Sequence, residues 1–400
     1  MRKTILRKLA CIGLLMAAAA VSACGSANKV AVVDVQKVQQ DSAKIQAIQK
    51  EITDKNAEIQ NRLTTDSQAG LSDEDMQKKV QEAQQERMIF VQSKQKQIQS
   101  MVETQSAAVA KENNISLNRM EIVHAPGVIT MEDEPTEITK GKSDSSMAEG
   151  CRQLVAGNGD AFISAGNSGA LVVGATLLVK RIKGIKRVAF APIMPKSKGH
   201  FMLLDAGANN ECRPEMLQQF GVMGSIYMEK VMHLHNPRVG LANIGGEENK
   251  GTQVQVDAYQ MLKASKLNFV GNVEGRALPV DAADVVVADG FTGNMILKVY
   301  EGVAMVLMSK IKGIFTKSTK NKLAASVVLK DMKELKKMFD YTEVGGAPIL
   351  GASKPVFKAH GSADARTFKS AIRLTKQYVE SNVVGLIADS ISDYQTKENS

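Results

Sequence analysis

The spacing of apolar positions changes character along the chain. Val38, Ile45, Ile52 and Ile59 recur every seven residues, with Ile48 and Leu63 on the same side and Gln, Lys and Asp between them. That spacing predicts a long helix with a coiled-coil seam. The pattern breaks from Thr64 to Gly70 and restarts after Ser72-Asp73-Glu74-Asp75, which resembles a capping box. Met76, Val80, Val91, Ile98, Val102 and Val109 form the apolar side of a second helix. Two long helices joined by a short break predict a hairpin. Before it, Lys29 to Val35 reads as one strand.

After Asn118 a different unit repeats: strand, glycine-bearing loop, helix. Asp160 to Ser164 is a strand, Ala165 to Gly169 its loop and Ala170 to Ile182 its helix. Phe201 to Asp205, the loop Ala206 to Asn210 and a helix from Pro214 to Met232 follow the same plan. Arg238 to Asn243 ends in the loop Ile244 to Gly251, and Asn268 to Val270 ends in Gly271 to Gly275. Ala283 to Ala288 ends in Asp289 to Asn294, with a long helix behind it. Such alternation predicts a mostly parallel sheet covered on both faces, with ligands beyond the carboxyl ends of the strands. Every one of those ends carries Gly with Asn or Asp. Glycine lets backbone N–H groups approach an anion, and each helix start adds a partial positive charge.

The N-terminus reads as a targeting segment. Arg2, Lys3, Arg7 and Lys8 precede an apolar run from Leu9 to Val21, followed by Val21-Ser22-Ala23-Cys24-Gly25. This describes a secretory signal rather than a spanning helix. Its end resembles a bacterial lipoprotein box, in which Cys24 is lipidated; an ordinary cut near Ala23 with an incidental Cys24 is the alternative.

Composition narrows the chemistry. The chain has 44% hydrophobic residues, no Trp and 20 Met, so the core must be aliphatic and Met-rich. The net charge of +9 favours anionic partners. No basic motif interleaved with aromatics is present, which argues against nucleic acid. Cys11, Cys24, Cys151 and Cys212 fit neither a zinc site nor a disulfide framework, and Cys151 and Cys212 read as plain buried thiols. His233 and His235 read as surface residues at a helix end, without partners for a metal. Between Ser309 and Phe339 nine Lys face only Asp331 and Glu334, while Leu323, Ala324, Val327, Val328, Met332 and Leu335 give an apolar side. That basic amphipathic stretch suits an anionic membrane surface, an acidic protein, or a dimer-facing helix pair with a solvated lysine face.

Two family resemblances follow. Residues 29–117 resemble the Skp/OmpH periplasmic chaperones, through the Ala31-Val32-Val33-Asp34-Val35-Gln36 strand, the hairpin and Ala108 to Ser116. Residues from about Arg119 to Leu386 resemble the PlsX phosphate acyltransferases. The matching stretches include Asp160 to Ala170, Leu203 to Asn209, Val239 to Gly251, Phe269 to Arg276, Ala288 to Lys298, Tyr341 to Gly351 and Lys358-Ala359-His360-Gly361-Ser362. The organisation implied is a signal over 1–24, a hairpin arm over 25–117, an acyltransferase domain over 118–390 and a polar tail over 391–400.

The PlsX resemblance implies a three-layer α/β/α fold related to phosphotransacetylases and isopropylmalate dehydrogenases, usually homodimeric. It implies acyl-phosphate formation from acyl carried on acyl carrier protein plus inorganic phosphate, without nicotinamide, other cofactor or metal. Phosphate is itself an anionic nucleophile, so the protein must position it and stabilise an oxyanion. Gly166, Asn167, Ser168 and Gly169 are expected to cradle phosphate. Asn243 and the Gly245–Lys250 loop, with Glu247 and Lys250, are expected to hold phosphate or the oxyanion. Asp205, Asn209, Asn272, Asp289 and Asn294 are expected to orient donors, and Lys298 to add charge. His360 is expected either to protonate the leaving thiolate or to be a hydrogen-bonded turn residue. Asn243, Asp289, Asn294 and His360 are the catalytic candidates.

The family normally opens with a strand and an Asp-Ala-Met-Gly-Gly-Asp loop. Neither is recognisable in this sequence, and the signal and arm stand in their place. A fusion with an impaired enzyme half is therefore one expectation, and a lipid-anchored chaperone or binding arm carrying an inert α/β domain is the competing one. A phosphotransacetylase or dehydrogenase relative is a third, though no Gly-x-Gly-x-x-Gly fingerprint is present. Localisation divides the same way: a cytoplasmic enzyme peripheral to the membrane, or an envelope lipoprotein.

Overall fold

The computed structural model describes residues 32–33, 43–68, 72–112, 121, 123, 125–332, 345–361, 363 and 365–398. Cys24, the 113–120 junction and residues 333–344 of the lysine-rich stretch lie outside the described residues.

The heptad-like seam folds as expected into two helices, α1 (Ala43–Gln68) and α2 (Asp73–Glu112). Ion pairs Glu51–Lys94, Lys55–Glu86 and Asp66–Lys79 run in opposite orders along the two helices, so the pair is antiparallel. Ile48, Ile59 and Ala83 are buried between them. Ser72 opens α2, its Oγ accepting from the Asp75 N–H at 3.2 Å.

Two five-stranded sheets carry the rest. The first has the order β1 (Val32–Val33), β2 (Phe162–Ser164), β10 (Val356–Ala359), β9 (Gly346–Leu350) and β3 (Ala189–Phe190). The second has β4 (Ile193–Pro195), β5 (His200–Leu204), β8 (Val285–Val287), β6 (Arg238–Asn243) and β7 (Asn268–Glu274). The sheets meet where β3 runs into β4: the Ala206 N–H donates to Phe190 O at 2.9 Å and the Leu203 N–H to Pro192 O at 3.0 Å. The pairings β1–β2, β2–β10, β5–β8, β6–β8 and β6–β7 are parallel, and β9–β10, β3–β9 and β4–β5 antiparallel.

The helices are α3 (Ser146–Ala156), α4 (Ser168–Leu177), α5 (Pro214–Lys230), α6 (Gln253–Lys263), α7 (Gly290–Thr316), α8 (Thr319–Val327), α9 (Ala365–Glu380) and α10 (Val383–Glu398). Side-chain alternation sorts each strand between two faces. Met202 and Leu204 of β5 enter the core shared with α5, α9 and α10, while Phe201 and Leu203 enter the one under α7. In β2, Ile163 joins the first core and Phe162 a third one beneath α3 and α4. Strands apolar on both faces with helices above and below give the three-layer α/β/α arrangement.

Two boundaries differ from expectation. The helix after the Ser164–Gly169 loop stops at Leu177, because Lys180 turns left-handed with φ 72°. Residues 391–398, read as a polar tail, continue α10, because Ile387 and Ile391 sit one turn apart and are both buried.

Candidate functional site

The loops singled out in the sequence gather at the carboxyl ends of β2, β10, β5, β8, β6 and β7. Each is held mainly by its own polar side chains. Asn167 is the N-cap of α4: its Oδ1 accepts from the Ala170 N–H at 3.0 Å, and its Nδ2 donates to Thr130 O at 3.0 Å and Asp133 O at 3.3 Å. Ser164 Oγ accepts from the Gly166 N–H at 3.1 Å. A Cβ at Gly169 would lie 2.7 Å from Pro135 Cγ, so only glycine fits beneath that turn. The first backbone N–H groups of α4, at Ser168 and Gly169, lie ahead of the helix ladder. Ser168 is exposed.

Asp205 is fully buried at the end of β5. Its Oδ1 accepts from the N–H groups of Phe190 at 2.9 Å and Ala208 at 3.1 Å; its Oδ2 accepts from Asn209 N at 2.7 Å and Nδ2 at 2.9 Å. Burial pushes this carboxyl above the usual aspartate range, with the Asn209 amide and the backbone donors pulling it back. Asn209 Nδ2 also donates to Val188 O at 2.8 Å. Asp289 caps α7, accepting from Thr292 N and Thr292 Oγ1, both at 2.8 Å. Gly290 and Gly293 let α7 close on the β5 loop: a Cβ at 293 would lie 1.8 Å from Asp205 O. Asn294 stands beside Gly207 and is exposed.

A third loop follows β6. Asn243 closes it, with Nδ2 donating to Lys250 O at 2.9 Å and Oδ1 accepting from the Ile244 N–H at 2.8 Å. Asn272 Nδ2 donates to Glu247 O at 2.7 Å, and its Oδ1 is buried without a partner. Glu247 and Lys250 are exposed on the loop.

Asn167, Asp205, Asn209, Asn243 and Asp289 all hydrogen-bond within the loops and helix caps that carry them. Cys212 lies in the same neighbourhood, and burial followed by the Asp205 and Asp289 carboxylates pushes its thiol up to about 12. Burial does the same to Cys151, and both are buried free thiols, as the sequence suggested.

A cavity of about 890 Å³ opens beside these loops. Phe190, Ile193, Met194, Tyr300, Met305 and Met308 supply much of its apolar wall. Its polar lining includes Ser168, Lys298, Lys358 and His360. Tyr300 is pinned by a hydrogen bond from its hydroxyl to Pro195 O and packs edge-on against Phe201. Lys298 is largely exposed and pairs with Glu301 at 3.3 Å. The structure thus brings Ser168, Lys298 and His360 to one cavity, whose lining does not include Gly166, Asn167, Gly169, Asp205, Asn209, Asn243, Glu247, Lys250, Asn272, Asp289 or Asn294. Lys358 is the residue the sequence reading passed over. The available signal was a single lysine inside the otherwise apolar run Val356-Phe357-Lys358-Ala359.

Comparison with known proteins places this architecture. A family model described as "Fatty acid synthesis protein" matches residues 74–386, starting inside α2. A phosphate acyltransferase of Acetivibrio thermocellus is 46% identical over 290 residues, covering 72% of this chain and 86% of that protein. One from Alkaliphilus oremlandii is 47% identical over 274 residues, covering 68% and 82%. Among solved structures, the EutD phosphotransacetylase of Staphylococcus aureus superposes with a TM-score of 0.41 at 15% identity, covering 69% of this chain and 84% of its own. A branched-chain phosphotransacylase from Enterococcus faecalis gives 0.38 at 15% identity, covering 59% and 79%. By the extent of the family match and by these identities, the chain belongs to the PlsX-type phosphate acyltransferase family.

Proposed function

We propose that this chain transfers an acyl group from acyl carrier protein to inorganic phosphate. The observation that carries the reading is the cavity with an apolar wall and a polar lining contributed by the ends of β2 and β10. The apolar wall suits an acyl chain, and the start of α4 suits the nucleophile. Ser168 and Gly169 offer backbone N–H donors reinforced by the helix dipole. A phosphate oxygen attacks the thioester carbonyl, the C–O bond forms as the C–S bond breaks, and the electron pair leaves on sulfur. The proton of hydrogen phosphate passes to the thiolate, through His360 in this reading, so no further reactant is needed. The test uses the purified full chain with acyl-loaded carrier protein and phosphate, trapping acyl phosphate as a hydroxamate. Thioester consumption without trapped product, or no consumption, would refute the reading.

The proposal extends to partners. Phe291, Met295, Val299, Val303 and Val306 form an exposed apolar stripe along α7 that a second copy would cover in a homodimer. Lys310, Lys312, Lys317 and Lys320 beyond it suit an anionic membrane surface or the acidic carrier protein. Carrier-protein chemistry places the enzyme in the cytoplasm at the membrane, whereas lipidation at Cys24 would place it in the envelope. Among the described residues no helix is long and apolar enough to cross a membrane.

A further inference from the structure

We propose that Lys358 is a catalytic residue of this site, its buried ammonium holding the anionic oxygens of bound phosphate against the start of α4. The inference rests on the acyl-phosphate reading above. Lys358 is 7% exposed in a strand whose other members are apolar and buried. A lysine buried in such a strand needs polar partners for its ammonium. Register sets it directly beside Ser164 on the neighbouring parallel strand. Its Nζ donates to Ala165 O at 3.2 Å and to Ala359 O at 2.5 Å. The same side chain lines the cavity with Ser168 and His360. The ammonium therefore lies between the root of the cradle loop and the space where the reaction would occur.

The placement divides the work between two sources of positive potential. The start of α4 contributes backbone N–H groups and a partial charge; Lys358 contributes a full charge from the adjacent strand. Charge-assisted bonds to phosphate are roughly twice as strong as neutral ones, and a buried site weakens water's competition. Lys298 is the weaker candidate, because it is 66% exposed. Lys358 need not exchange a proton in the step. Its charge steadies phosphate during attack and the oxyanion as the carbonyl becomes tetrahedral.

The experiment uses the full chain and its K358M, K358Q and K358R variants. Turnover is followed with acyl-loaded carrier protein at varied phosphate, and binding of inorganic phosphate alone by titration calorimetry. K358M and K358Q are expected to lower kcat/KM for phosphate by about 10- to 100-fold, the range for a lost hydrogen bond to a charged group. They should weaken phosphate binding in parallel and leave KM for the acyl carrier substrate within about twofold. K358R should recover part of the loss, because it keeps the charge but not the ammonium's reach. If the wild type turns over and the folded variants keep its phosphate dependence, Lys358 is only a loop tether and the inference fails while the acyl-phosphate reading stands. If the wild type binds phosphate through Lys358 without turnover, the acyl-phosphate reading fails and Lys358 is a phosphate-binding residue rather than a catalytic one. Absence of both binding and turnover overturns both. Should K358M and K358Q fail to fold, K358R decides: unchanged phosphate binding and turnover, despite its altered reach, would refute the role.

Discussion

Replacing Asp205 by alanine removes four hydrogen-bond acceptor contacts at once from a fully buried position. Three are to backbone N–H groups, of Phe190, Ala208 and Asn209, and the fourth is to the Asn209 amide. A hydrogen bond to a charged group contributes about 1.5–3 kcal/mol, so a simple sum would reach roughly 6–12 kcal/mol. That sum is too large, because the contacts share one carboxylate and the loop can partly rehydrate once released. Relief of the carboxylate's own burial, which raises its pKa, offsets more. We expect a cost of about 4 kcal/mol, a large part of the roughly 5–15 kcal/mol that holds a domain folded. D205N keeps one acceptor oxygen and turns an NH₂ toward existing donors, so it should cost about half as much. Urea unfolding at neutral pH, followed by far-UV circular dichroism, reads both. A D205A cost below about 1 kcal/mol would show that the 205–209 loop does not depend on this carboxylate, and the role assigned to it would be withdrawn.

Three further expectations follow from the same geometry. Burial raises the Asp284 carboxyl, but Arg238 and Lys196 outweigh it and hold it at about 2. A depressed folded value stabilises above the ordinary pKa near 3.8 and is lost as pH falls toward 2, a loss of about 1–2 kcal/mol after solvent screening. Acid titration of urea midpoints should show that loss in the wild type, and an identical slope in D284N would count against it. G293A would place a methyl 1.8 Å from Asp205 O, so we expect about 2–3 kcal/mol of destabilisation and reduced turnover; an unchanged urea midpoint would contradict the close approach of α7. With both thiols at about 12, iodoacetamide at pH 8 should label Cys151 and Cys212 only after unfolding, and rapid native labelling of Cys212 would refute its assigned environment.

The sequence showed the repeating units because β2, β5, β6 and β8 are short apolar runs followed by glycine-bearing loops. It did not show β3, β4, β9 and β10. Those strands are two to five residues long, Pro195 and Pro348 lie within β4 and β9, and neighbours far along the chain define them. The loops were located correctly, yet most of their Asn and Asp side chains serve the backbone. Side-chain type alone cannot separate an amide that binds a ligand from one that caps a turn, since the same short polar groups suit both. Lys358 shows the converse: its chemistry was plain in the sequence, but only the pairing of β10 with β2 puts it beside the cradle loop.

That pairing also bears on the strand expected to be missing. Val32–Val33 had been assigned to the arm, but it joins the α/β sheet as β1, parallel to β2 with Val32 opposite Phe162 and Val33 opposite Ile163. A parallel strand directs its carboxyl end to the same edge as Ser164, where the cradle loop begins. The segment ahead of the hairpin thus supplies a neighbour for β2, and β2 is not left as an open sheet edge. This segment supports the backbone of β2, and its sequence does not contain Asp-Ala-Met-Gly-Gly-Asp. If turnover is impaired, the defect should lie in binding and orientation of phosphate, not in stability of the β2–β10 sheet. Calorimetric phosphate affinity measured alongside urea unfolding separates the two: weak binding in a stably folded chain fits this account, and early unfolding of the sheet with binding intact below the transition contradicts it.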